Sequence, residues 1–250
     1  MPELNRANRQ VCDVDIRVLK TLAPFLFLDT ANTTTAGLTG DAVYAMAKGQ
    51  RAIAFHNPLE GTMTIEAQVL PFKVYALFSD GTIESKGVQA VRKTITADGT
   101  TLNITASEGS EIKAGTVFVY PAGSFGDESA AIAGTFASGS FTPTENSAIV
   151  SGQDYEVGYI VNRTSGVRKV SFNNKKVPKD YFITMNTVEK DEEGTLTPYI
   201  ITAYKAAIER NLELSFSSEG DPASLTITFN LLADKDGNVM DIMEDTENAE

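Results

Sequence analysis

The feature that most constrains this chain is strict period-two alternation in two separated stretches. In Leu225–Leu231 the apolar set is Leu225, Ile227, Phe229 and Leu231, and the polar set is Thr226, Thr228 and Asn230. In Thr62–Val69 the apolar set is Met63, Ile65, Ala67 and Val69, and the polar set is Thr62, Thr64, Glu66 and Gln68. Side chains of a strand point alternately to opposite faces, so such runs predict strands with one face on a core and the other in water. A chain built on two such strands is expected to be mainly β.

Shorter runs support that class. Arg51–Phe55 alternates, with Ile53 and Phe55 on one face, and the turn signals Asn57–Pro58 and Glu60–Gly61 follow it. Tyr199–Ala207 reads as strand or helix; Pro198 and the β-branched Ile200, Ile201 and Thr202 favour strand. Leu212, Leu214 and Phe216 alternate with Glu213 and Ser215, which predicts another strand. Asp236–Gly237–Asn238 marks a turn before Val239–Met243. Leu70–Ser79 is the one helix candidate, with Pro71 in its first turn and Asp80–Gly81 ending it. Asp29–Gly49 is rich in Thr, Ala and Gly and reads as a long loop or flexible hairpin. The N-terminal Val14, Ile16, Val18, Leu22 and Phe25 fit a short strand or arm.

Between about Gly87 and Arg168 the texture changes. Short runs (Leu102, Ile104, Ala106; Val117, Val119; Tyr155, Val157, Tyr159, Val161) are separated by Gly, Ser, Thr and Asp. Such spacing suggests a sandwich or barrel subdomain. The expected organisation is a discontinuous β domain over 1–86 and 169–243, an inserted β-rich subdomain over 87–168, and an acidic, disordered tail over 244–250. Asp241, Glu244, Asp245, Glu247 and Glu250 stand in the last ten positions without a base.

Charge and rare residues exclude several kinds of chemistry. With 33 acidic and 21 basic residues the net charge is −12, against a protein that grips nucleic acid by its phosphates or docks on an anionic membrane. The longest apolar stretch, Leu22–Leu28, is far below the roughly 20 residues that span a bilayer. The polar N-terminus MPELNRANRQ has no secretory apolar region, and the N-x-T matches at Asn32, Asn103 and Asn162 read as chance. Cys12 is the only cysteine and His56 the only histidine, so neither an internal disulfide nor a Cys/His zinc site is expected. Asp234–Asn238 (DKDGN) puts glycine too early for a calcium loop and reads as a hairpin turn. Asp13 and Asp15 read as a solvated strand edge, His56 as a turn residue, and Glu189–Gly194 as a charged loop tip. No phosphate-binding glycine motif or nucleophile elbow is present. No cofactor, metal or catalytic residue is expected.

Two blocks carry a resemblance. RAIAFHNPLEGTMTIEAQVLPFKVYALFSDG at Arg51–Gly81 and AYKAAIERNLELSFSSEGDPASLTITFNLLADKDGNVMD at Ala203–Asp241 cover under a third of the chain. Their order is strand, strand, helix, then a closing pair of long strands around a Gly-Asp-Pro turn. This resembles the bacteriophage tail tube (major tail) proteins. The resemblance implies a virion structural protein, assembled in the host cytoplasm, whose hexameric rings stack into a hollow tube with a continuous inner barrel. Genome DNA would pass down the bore as cargo, not as a bound ligand. Sheath, tape-measure and tail-terminator proteins would be further partners. It implies a lumen face of Thr62, Thr64, Glu66, Gln68, Glu213, Ser215, Thr226, Thr228 and Asn230, and an inter-subunit loop that includes Asp29, Thr33, Thr34, Thr35, Leu38 and Asp41. The helix would lie outside the inner barrel. Competing readings are a head decoration or capsid component, and a β-fold hydrolase or carbohydrate-binding protein; the absence of Trp weighs against the last.

Overall fold

The computed structural model describes residues 5–247. The chain divides into two compact units. The first holds the chain up to Thr82 and again from Ser171; the second is Ile83–Val170. Both are mainly β, with antiparallel sheets, and no sheet closes into a barrel.

Unit 1 begins with β1 (Arg6–Ala7), β2 (Asp13–Val18), β3 (Pro24–Leu28), β4 (Ala31–Thr39), β5 (Ala42–Ala47), β6 (Gln50–His56) and β7 (Glu60–Ala67). A short 3-10 helix, Phe72–Phe78, follows. Unit 2 contains β8 (Gly87–Thr96), β9 (Leu102–Asn103), β10 (Ser110–Ile112), β11 (Phe118–Pro121), β12 (Gly134–Ala137), β13 (Ser140–Pro143) and β14 (Asp154–Arg163). It also has two single-turn 3-10 helices, Glu128–Ala130 and Asn146–Ala148. Unit 1 then resumes with β15 (Asp180–Asp191), β16 (Leu196–Ile208), β17 (Leu225–Leu231) and β18 (Met240–Glu244).

The main sheet of unit 1 runs β3-β2-β15-β16-β17-β7-β4, with β1 added to β15 and β18 to β16. Its terminal strands β3 and β4 are separated in the chain only by Asp29 and Thr30, so the sheet curls back on itself there. The Cys12 amide donates to Thr34 Oγ1 (3.1 Å), but no ladder joins the two ends. One face of the curl holds the core: Val14, Ile16, Leu28, Met63, Ile65, Tyr181, Ile183, Met185, Ile227 and Phe229 are all buried. Burying side chains of this size, at about 1.5–3 kcal/mol each, is what offsets the cost of ordering the strands. Tyr181 stacks tilted on Phe25 (5.4 Å) and edge-on to Phe229 (6.2 Å). Its hydroxyl is buried and finds no hydrogen-bond partner among the described residues. Desolvation raises its pKa above the usual phenol value.

In unit 2, β8, β10 and β11 pair with β14 or with one another through it, and β9, β12 and β13 form a separate small sheet. Leu102, Ile104, Val119, Phe141, Ile149, Tyr155, Val157, Tyr159 and Val161 make a core of its own. Outside that core, Gly158 leaves room on β14 for the ring of Phe125, where a Cβ would come within 2.7 Å of it. The Arg92 guanidinium covers the same ring at 4.4 Å and bonds Glu156 at 2.7 Å.

Several expectations change. Asp29–Gly49 is not a loop: Ala31–Thr39 joins the sheet beside β7, and Ala42–Ala47 forms a hairpin with Gln50–His56. Thr and Ala suppress the hydrophobic pattern without preventing a strand whose partner supplies the burial. Leu212–Phe216 forms no strand; its alternation is present, but no strand among the described residues pairs with it. The expected helix shrinks to Phe72–Phe78, closed by i→i+3 bonds such as Val74 N–H to Pro71 O (3.0 Å). Val74, Ala76, Leu77 and Phe78 are buried, whereas Phe72 and Tyr75 pack edge-to-face on each other near the surface. Val69 is exposed, because β7 ends at Ala67. The acidic end is not wholly a tail: Met240–Glu244 pairs with β16, Glu244 is ion-paired with Arg6, and Tyr204 donates to Asp241. Acidic residues fit a strand when the opposite charge sits across it. Residues 248–250 lie outside the described residues.

Candidate functional site

The most distinctive surface of unit 1 is built by β4, β7 and β17. Cross-strand partners share a face, and the registers align three rows. Thr33, Glu66 and Thr226 form one row; Thr35, Thr64 and Thr228 the next; Gly37, Thr62 and Asn230 the third. The alternate positions turn the other way: Ala36–Met63–Phe229 and Thr34–Ile65–Ile227 face the core. At one end of that inner face Leu38, Gly61 and Leu231 are in line, and a Cβ on Gly61 would lie 2.9 Å from Leu38 and 3.0 Å from Leu231. Only glycine lets these two leucines close over β7.

The outer platform is therefore small and polar. Its rows contain no cation, and its one charge is Glu66, which accepts from Ser224 Oγ (3.1 Å). Such a surface offers a polyanion neither a fixed ion pair nor an apolar groove.

The expected lumen set splits here. Thr62, Thr64, Glu66, Thr226, Thr228 and Asn230 come together on the platform. Gln68 lies just past β7, with its side-chain amide on Pro222 O (3.1 Å). Glu213 and Ser215 are not in the sheet. They lie on the unpaired arm after β16 and line a cavity of about 690 Å³ that separates the arm from Leu225 and Thr226. β16 and β17 pair at Ala206–Ile208 with Phe229–Leu231, the Glu209 amide still donates to Thr228 O (2.8 Å), and beyond Glu209 the two segments part. On the arm, Leu214 and Phe216 are exposed, Phe216 to 89%.

The expected inter-subunit residues are likewise redistributed. Thr33 and Thr35 belong to the platform, Thr34 and Leu38 to the reverse face of β4, and Asp29 and Asp41 to the connections at either end of that strand. Beyond Asp41 the hairpin alternative holds, but with Arg51–Phe55 as its second strand, a pairing that sequence reasoning did not make. The β5–β6 hairpin turns at Lys48 (φ 52°) and Gly49 (φ 81°), the positive-φ pair that a tight hairpin turn demands. Val43 lies across from Phe55 and Ala45 from Ile53, which makes one apolar face. Val43, Ile53 and Phe55 are 61%, 57% and 60% exposed. On the other face the Arg51 guanidinium sits 4.3 Å over the Tyr44 ring. The signal is in the sequence: an unbroken apolar run, Val43–Ala47, and the alternating Arg51–Phe55 flank Lys48–Gly49.

The remaining candidates have structural partners. Asp15 accepts from Arg17 Nε (2.7 Å), and Asp234 closes its turn by accepting from the Asp236 and Asn238 amides (2.9 and 2.8 Å). His56 ends β6 opposite Ala42. Among the described residues no group of three His, Cys, Asp or Glu side chains is placed to hold a metal ion. No helix there is long and apolar enough to cross a membrane.

No curated protein matches the chain. A family match, however, spans residues 9–243, which takes in both units and both of the blocks that carry the tail tube resemblance. On that extent of match, the chain belongs to the YomU/Tube protein family.

Proposed function

We propose that this chain is the structural subunit of a phage tail tube: copies close into rings of six, the rings stack, and genome DNA passes through the bore. The observation that carries this reading is that unit 1 leaves strand-patterned apolar chain uncovered in two places, the β5–β6 hairpin and the Leu212–Phe216 arm. A two-stranded hairpin standing alone is marginal in water, and an exposed strand edge invites pairing with another chain. Neighbouring copies would satisfy both. The arm and the edge it meets are different surfaces, and such heterologous contacts generate rings when the rotation closes.

In this arrangement the β4–β7–β17 platform faces the bore. Threonine hydroxyls keep it hydrated, and the lack of cations lets DNA slide without sticking. The role is structural and uses no cofactor. Sheath, tape-measure and terminator proteins would contact the outside and the ends of such a tube.

Negative-stain electron microscopy of the purified protein over a range of concentrations tests this. Rings or hollow tubes support it. Isolated monomers under every condition, with no ring in the native particle, contradict it.

A further inference from the structure

The net charge conceals an uneven distribution along unit 1. The β15–β16 ladder has two ends, one where Asp180 faces Ala207 and one where Lys190 faces Leu196. Around the first gather Lys20, Lys73, Lys175, Lys179, Lys205 and Arg210. Several contacts place them there. The Leu19 amide, next to Lys20, donates to Asp180 O (3.1 Å); the Lys73 ammonium covers Phe25 (4.6 Å); Arg210 donates to Asn173 O (3.3 Å); Lys205 lies 3.7 Å from the Asp180 carboxylate. The other carboxylates at this end are Glu209 and Asp80, the latter already bridged by Lys176 (3.1 Å), so cations are in excess. Glu213, Glu219 and Asp221 line the arm's cavity instead.

The opposite end is acidic. The turn between β15 and β16 carries Glu192 and Glu193, flanked by Glu189 and Asp191. The end of β18 brings Asp245 and Glu247 beside them, with the Asp245 amide on Pro198 O (3.0 Å). Arg6, Arg9 and Lys190 are the bases there; Arg6 is taken up by Glu244 and Arg9 lies in the pocket that Glu189 lines, so the carboxylates remain in excess.

Twelve residues of β15 separate the two ends, about 35–40 Å at strand rise. That is several times the roughly 8 Å screening length at physiological salt. The two charge sets therefore do not stabilise each other within one copy, whereas a second copy can bring them into contact. An interface of unlike ends is head-to-tail, and along an axis with no closing rotation it repeats indefinitely. We infer that the basic end of unit 1 docks on the acidic end of a copy in the next ring, so that charge sets the polarity of stacking. Resting on the tube reading above, this explains how subunits of net −12 approach in one orientation and repel in the reverse one.

The test uses the full chain and reads stacking separately from ring formation. Tube length of the unaltered protein, measured by electron microscopy, should fall several-fold as NaCl rises from about 0.05 M to about 0.5 M, leaving free rings. The pair Lys175→Glu and Lys179→Glu should give unstacked rings, as should the pair Glu192→Lys and Glu193→Lys. All four changes in one chain should restore tubes. Circular dichroism melts check that each variant is folded; Lys→Gln and Glu→Gln versions replace any that is not. Tubes of unchanged length at every salt concentration and in both pairs overturn the inference while leaving the tube reading intact. Failure of the unaltered protein to form any ring overturns the tube reading itself.

Discussion

Thr64 of β7 lies directly across from Thr228 of β17, and the same Thr64 faces Thr35 of β4 on its other side. Three threonines in one row, from three strands distant in sequence, mark the centre of a platform whose reverse side is Met63, Ile65, Ile227 and Phe229, all buried. One alternation thus does two jobs: it seals the core and supplies a hydrated, cation-free surface.

Replacing Thr64 and Thr228 by Lys tests the use of that surface. The side chains point away from the core but the two ammoniums would face each other across the ladder, so the melting temperature should fall by only a few degrees, the cost of a like-charged cross-strand pair being about 1 kcal/mol. Assembled tubes should then bind double-stranded DNA in a salt-dependent manner that unaltered tubes do not show. Fluorescence anisotropy with labelled DNA reads this. Equal, negligible binding by both would remove the platform from the path of DNA.

Gly61→Ala should destabilise the fold. Its Cβ would lie within 3.0 Å of Leu231 Cβ, an atom fixed to the backbone, and 2.9 Å from Leu38. Overpacking of this kind costs about 1–3 kcal/mol. A denaturant midpoint equal to that of the unaltered protein would show that β7 shifts freely.

Tyr181→Phe should leave the fold as stable or stabilise it, by up to about 1–3 kcal/mol, because it removes a buried hydroxyl that has no partner among the described residues. Thermal unfolding would show a rise of a few degrees. A clear loss of stability would mean that the hydroxyl is satisfied in solution.

Ile53→Ser with Phe55→Ser should leave unit 1 folded, since both side chains face outward on the hairpin. Assembly should fail or need much higher protein concentration. Sedimentation velocity separates subunits from rings; unimpaired rings would show that the hairpin's apolar face is not a contact.

How far the fold was legible depended on whether the partner of a strand was written beside it. Met63–Ile65–Ala67 and Leu225–Ile227–Phe229 announced themselves, because the core that needs them imposes alternation. β4 did not. Thr33, Thr34 and Thr35 carry no amphipathic signal, and only the register with β7 makes them a strand. Of β18 the run Val239–Met243 was legible after its turn, but not its end at Glu244, since Arg6, which meets Glu244, is more than two hundred residues away in sequence. Leu212–Phe216 is the reverse case, with the pattern of a strand and no ladder partner among the described residues. The platform residues on β7 and β17 could be named from sequence, but their union with Thr33 and Thr35 required the sheet order. Glu213 and Ser215 were placed with them only because alternation says nothing about pairing.

The most direct measurement is a cryo-electron microscopy reconstruction of the assembled protein at side-chain resolution. Thr35, Thr64 and Thr228 should lie nearest the axis of a hollow ring, with Leu212–Phe216 paired as a strand to the sheet of an adjacent copy. A ring whose bore is lined by other strands, or an assembly with Thr64 and Thr228 on its outer wall, would contradict a DNA path over this platform.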